Sequence, residues 1–152
     1  MVQAFSLTSD SLGYFIGYTL HHARRVAIVT PWLSNVQLRF PLNDQLDARH
    51  MRLLDALEQL EETDVTLIVR EGEDHNDFIR DRLPEGVSLL AVDGLHAKVV
   101  VCDEFIYLGS ANITRGGLSI NREVCEIIEN EYEDAGEYLE RELDIQYSTE
   151  DQ

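Results

Sequence analysis

Residues 95–127 read LHAKVVVCDEFIYLGSANITRGGLSINREVCEI. Two apolar runs, Leu95–Asp103 and Phe105–Leu108, are separated by almost nothing. This predicts a strand pair closed around Asp103-Glu104. His96 and Lys98 are two apart, so on a strand they project to one face. An ammonium on a buried strand needs an anion nearby, because an unpaired buried charge is costly. The second strand runs into Gly109-Ser110-Ala111-Asn112, where glycine permits close backbone approach and Ser110 and Asn112 offer a hydroxyl and an amide. Imidazole, ammonium, hydroxyl and amide meeting at strand ends would make a phosphate pocket.

Downstream, Val124–Ile128 reads as a further strand and residues 131–145 as a closing amphipathic helix. Upstream, Leu12, Phe15, Ile16, Thr19 and Leu20 have helical spacing over residues 11–24, with Ser9 or Asp10 as N-cap. Val26–Thr30 is a β-branched run stopped by Pro31, followed by a long loop over residues 31–44. A helix is expected from Gln45 to Glu62. Strands follow at Val65–Val69 and Val87–Val92, with a short helix over residues 74–83 between them. Strands alternating with helices predict an α/β fold with a mixed, mostly parallel sheet. The expected organisation is one domain, residues 1–152, with an acidic C-terminal helix and tail from about residue 131.

Charge narrows the function classes. The chain has 152 residues, with 29 Asp and Glu against 12 Lys and Arg, for a net charge of −17. Eleven of the twelve basic residues are arginine, and Lys98 is the one lysine. Twelve of the acids and a single arginine fall between Glu123 and Gln152. A lysine-poor, acid-rich chain fits adaptation to molar salt, where a carboxylate surface stays hydrated. Such a surface opposes broad nucleic-acid binding at low salt. At 1 M salt the Debye length falls to about 3 Å and the objection weakens. No apolar stretch reaches a membrane span and no signal-peptide pattern opens the chain, so a cytoplasmic protein without stable membrane association is expected. Cys102 and Cys125 are too few for a disulfide framework, and no zinc-ligand spacing is present.

His96-x-Lys98, Asp103 and Gly109-Ser110-x-Asn112 together resemble the HKD motif of the phospholipase D superfamily. Asn121-x-Glu123 stands where family members usually carry Asn-x-Glu before a strand. Five residues separate Asp103 from Gly109, where the common pattern has six. The resemblance implies an α/β/α sandwich. It also implies a metal-independent phosphodiesterase with no cofactor. One motif is present where the family's catalytic centre uses two, which resembles the small bacterial endonuclease-type members that dimerise. A homodimer sharing one site, with nucleic acid as substrate, is what this implies.

Residue by residue, the resemblance makes His96 the nucleophile in one subunit and the general acid–base in the other, through a phosphohistidine. Lys98, Ser110 and Asn112 would hold the phosphate oxygens. Glu123 would orient His96, while Asp103, Gly109 and Asn121 support the motif. Trp32 could stack a base or cap the core. Ser34 and Asn35 share its loop, and Ser34 is a further candidate contact. Arg115 could touch a flanking phosphate or pair with a surface acid. His21 and His22 read as surface or capping residues, with His50 on the second helix and His75 near a helix start. The alternatives are a phospholipid phosphodiesterase and a non-catalytic phosphate- or nucleic-acid-binding module.

Overall fold

The computed structural model describes residues 4–7, 12–39, 50–60, 63–109, 113 and 125–146. In chain order its elements are β1 (Ala4–Leu7), α1 (Leu12–His22), β2 (Arg25–Val29), β3 (Gln37–Arg39), β4 (His50–Arg52) and α2 (Leu53–Gln59). Then come β5 (Asp64–Arg70), a 3₁₀ turn (Asp74–Asn76) running into α3 (Asp77–Arg80), and β6 (Val87–Val92). The last are β7 (Val99–Cys102), β8 (Phe105–Gly109), β9 (Cys125–Glu129) and α4 (Ala135–Leu143). Seven strands form one sheet in the order β1-β9-β8-β7-β2-β5-β6, and β3 pairs with β4 separately.

The sheet is mixed. Following the pairings across it, five of the seven strands run in one direction and β7 and β9 oppose them. Parallel pairing nonetheless is the minority, confined to β2–β5 and β5–β6. The expectation of a mostly parallel sheet is corrected to that extent. Both of those connections carry helices, as a parallel neighbour needs a long crossover. β7 and β8 are joined by Asp103-Glu104 alone, which permits only an antiparallel hairpin.

Alternation along β2 explains the layering. Val26 and Ile28 pack with Ile16, Leu20, Leu54, Leu57 and Ile79 on the side of α1, α2 and α3. Ala27 and Val29 pack with Leu139, Tyr138 and Ile145 on the side of α4. Val26 to Val29, four of the five β2 residues, are fully buried, as a central strand requires. The result is helix–sheet–helix, as expected. At about 25 cal/mol per Å² of apolar surface, each fully buried Leu or Ile contributes about 1.5–3 kcal/mol.

Several elements differ from the sequence reading. The expected helix Gln45–Glu62 contains β4 and only the short α2 within the described residues. Met51 pairs with Leu38, both buried, so period-two burial wins before residue 53. Arg52 supplies no side-chain cap to α2, and Asn35 Oδ1 instead accepts from Leu54 N at 2.9 Å. The final helix starts at Ala135, because Asn130 ties the preceding turn. Its Oδ1 accepts from Tyr132 N at 3.0 Å and its Nδ2 donates to Cys102 O at 3.0 Å. Asp134 then caps α4, accepting from Glu137 N at 2.8 Å, and pairs with Arg25 at 3.2 Å. Finally, β1 adds a strand ahead of the first helix, antiparallel to β9. Ser9 and Asp10 lie outside the described residues.

Candidate active site

The sheet changes character at β2, which has parallel β5 on one side and antiparallel β7 on the other. In open α/β sheets, the edge beyond the carboxyl ends of the strands is where ligands bind. The chain must cross it to pass from β6 to β7. Those strands are separated by β5 and β2, three strand spacings or about 14 Å. The crossing begins at Gly94, whose φ of +69° suits glycine. An extended chain covers about 3.3–3.6 Å per residue, so Leu95–Lys98 are used in the crossing. This shortens the expected strand Leu95–Asp103 to Val99–Cys102.

The crossing is pinned in place. Leu95 is buried, and its carbonyl accepts from Arg70 Nε at 2.7 Å. His96, next in line, is exposed. Lys98 is half-buried, and its Nζ donates to His96 O at 3.1 Å. Gly109 N donates to Lys98 O at 3.4 Å, so the ends of β7 and β8 meet here. Gly109 also pairs with Cys125, so the chain leaves β8 and enters β9 at this same edge. Ser110, Asn112, Arg115, Asn121 and Glu123 lie outside the described residues.

Ile113, directly after Asn112, is described and firmly held. Its N donates to Thr30 Oγ1 at 3.2 Å, and its O accepts from Ser34 N at 2.9 Å. Thr30 Oγ1 donates in turn to Trp32 O at 2.9 Å. The loop after β2 is thereby joined to the motif. Trp32 is 41% exposed on that loop, a large aromatic surface left to solvent. Asn35 is committed to α2, which makes it structural.

The sequence reading gives His75 no site role and does not single out Asn76. Asn76 is buried. Its Oδ1 accepts from Leu33 N and its Nδ2 donates to Pro31 O, both at 2.8 Å. His75 is exposed, with Nε2 2.9 Å from Ser34 Oγ. No local pattern signals this pairing, which spans 41 positions.

Asp103 sits at the other end of β7 from Lys98. Its Oδ1 accepts from Ala135 N at 3.4 Å, joining the hairpin to the start of α4. A cavity of about 290 Å³ opens there, lined by Tyr18, His22, Arg24, Asp103 and Glu104, on the edge opposite His96. Cys102 is buried, with Sγ accepting from Phe105 N at 3.3 Å, and burial pushes its thiol up. That is a packing thiol, not a nucleophile. Among the described residues, no three His, Cys, Asp or Glu side chains are grouped to hold a metal ion.

Comparison with known proteins places this arrangement. Residues 19–144 match the family model described as cardiolipin synthase, PLD-like domain. The chain belongs to that PLD-like family, within the phospholipase D superfamily. No curated protein sequence matches it significantly. The fold is similar to NucT from Helicobacter pylori, with TM-score 0.62 and 15% identity over 86% of this chain and 87% of that one. It is similar to Nuc from Salmonella typhimurium, a phospholipase D family member, with TM-score 0.56 and 17% identity over 86% and 83% of the two chains. Polyphosphate kinase from Porphyromonas gingivalis shares the fold over 97% of this chain but 24% of its own, with TM-score 0.58 and 13% identity.

Proposed function

We propose that the chain is a metal-independent phosphodiesterase acting on nucleic acid, with one active site shared by two subunits. The observation that carries this reading is convergence at one sheet edge. His96 and Lys98 lie on the crossing that leads into β7, Gly109 ends β8, and Ile113 is anchored to the loop after β2. His96 is exposed there, available to substrate and to a second copy.

In the proposed reaction His96 attacks phosphorus. The bond to the leaving oxygen breaks, and the imidazolium of His96 of the partner subunit gives that oxygen a proton. Water then attacks the phosphohistidine and loses a proton to the same partner histidine. The P–N bond breaks and both imidazoles return to their starting states. The two steps require one histidine to begin neutral, as nucleophile, and the other to begin protonated, as acid. Lys98, Ser110 and Asn112 stabilise the charge on the non-bridging oxygens, and Glu123 orients His96. Trp32, Ser34 and Arg115 contact the strand beyond the cleaved bond. Working in molar salt would let a polyanion approach a chain of net charge −17.

The family's name concerns a lipid phosphodiester, which makes phospholipid the second substrate to assay. No helix among the described residues is long and apolar enough to cross a membrane. The test is cleavage of DNA, RNA and a phosphatidylcholine analogue in EDTA across a salt series. Nucleic-acid cleavage that persists in EDTA and disappears in His96→Ala is expected. Loss on chelation overturns the metal-free mechanism, and an active monomer by sedimentation overturns the shared site. If neither substrate class is cleaved at any salt, the chain is a binding module.

A further inference from the structure

We propose that Ser34 and His75 form a subsite for the phosphate next to the one being cleaved. This rests on the nucleic-acid reading above and extends it to a residue that no motif contains.

Position comes first. Ser34 N is bonded to Ile113 O, one residue beyond the motif's Asn112. His75 stands on the turn that follows β5, whose last residue, Arg70, donates to the carbonyl directly before His96. The pair therefore flanks the crossing that carries the motif histidine. It is also rigidly supported. Asn76, 1% exposed, directs both halves of its amide to the backbone of Pro31 and Leu33. The turn bearing His75 and the loop bearing Ser34 are thus one unit.

The chemistry follows from the donor count. When imidazole is neutral with its proton on Nδ1, Ser34 Oγ donates to Nε2 and Nδ1–H faces outward. When the proton is on Nε2, the imidazole donates to Ser34 Oγ, and the serine O–H is released to donate outward. In every state the pair presents an outward donor to an oxyanion. Carboxylates lie near it, but Glu73 is paired with Arg70 at 3.6 Å and Asp77 with Arg80 at 3.5 Å. Glu71 and Asp74 remain exposed, so the pair recognises phosphate by directed donors and not by net charge. Trp32, on the same loop two residues before Ser34, is 41% exposed, a stacking surface that suits the base of the same nucleotide.

The experiment compares a short oligonucleotide with bis(p-nitrophenyl) phosphate, which has no flanking phosphate. In His75→Ala the ratio of kcat/KM for oligonucleotide to that for the small diester should fall about tenfold, carried by KM. Ser34→Ala should give the same fall, and the double variant no more than either single one, because the two act as a unit. His75→Gln, which keeps an amide donor, should restore most of it. An unchanged ratio, or equal loss on both substrates, overturns the subsite. Oligonucleotide binding by the His96→Ala protein, with and without His75→Ala, decides the matter independently of turnover. A roughly tenfold weaker Kd supports the subsite and an unchanged Kd overturns it. If the wild-type chain cleaves neither substrate, the catalytic reading falls while the binding result still judges the subsite.

Discussion

Replacing Asn76 isolates the contact that holds the loop of the candidate site. In Asn76→Ala, Leu33 N loses its acceptor while fully buried. An unsatisfied buried donor costs about 1–3 kcal/mol. Pro31 O loses the amide but keeps the weaker bond from Arg70 N at 3.3 Å, which adds only about 1 kcal/mol. The total, about 2–4 kcal/mol, is a large share of a typical 5–15 kcal/mol. It should lower Tm by roughly 5–15 °C.

Asn76→Asp sharpens the test. The carboxylate keeps an acceptor for Leu33 N but turns a second acceptor toward Pro31 O. Burial and that carbonyl both disfavour the ionised form, so the folded value lies above the unfolded one. The variant is then least impaired below the unfolded value near 3.9, and stability is lost as pH rises through the raised folded value. Urea unfolding followed by circular dichroism at pH 5 and pH 8, each against wild type, measures both effects. A cost for Asn76→Ala under about 0.5 kcal/mol, or a pH-independent cost for Asn76→Asp, would refute the reasoning.

Three more expectations follow from other parts of the fold. Asp144 ends α4 at φ +53°, with Ile145 N bonded to Leu139 O at 3.0 Å. Asp144→Gly should therefore stabilise by about 0.5–1 kcal/mol, read as a higher urea midpoint at unchanged slope. Burial raises the Cys102 thiol, against opposing hydrogen bonds from Phe105 and Glu104. The stabilisation it carries is intact below about pH 8.5 and lost as pH rises through the folded value, so Cys102→Ala should flatten the alkaline decline in a pH series of urea melts. Charge repulsion predicts that kcat/KM on an oligonucleotide rises between 0.1 and 1 M KCl. A steep fall, the usual sign for phosphate-binding proteins, would show that long-range attraction dominates instead.

The sequence showed the central strands because Val26–Val29 and Val65–Val69 are buried on both faces, and such runs are continuous. The motif was legible because its spacing places His96, Lys98 and Gly109 at adjoining strand ends. What stayed hidden depends on pairing across distance. Leu38 and Met51 form a three-residue ladder whose burial pattern overlaps that of a helix. Residues 95–98 read as strand because they are apolar and alternating, and only the strand order shows that they must cross two neighbours. The Ser34–His75 pair exists because Asn76 reaches back to Leu33, and a buried asparagine on a polar turn looks like any other turn residue.

The charge and the site make one argument. In molar salt an ammonium or guanidinium attracts a phosphate only at near contact, since the field decays over about 3 Å. A chain working there gains little from a broad basic surface. It gains more from donors held rigidly at the right distance and from aromatic stacking, because neither depends on long-range Coulomb attraction. The edge around His96 has that composition: one lysine, an exposed Trp32, and the Ser34–His75 pair fixed by a buried amide. In the proposed mechanism Lys98 would meet the charge that develops on the phosphate during reaction, where contact is direct. Exchange of surface acids for lysine would then speed capture at low salt and leave the salt-independent part of turnover unchanged.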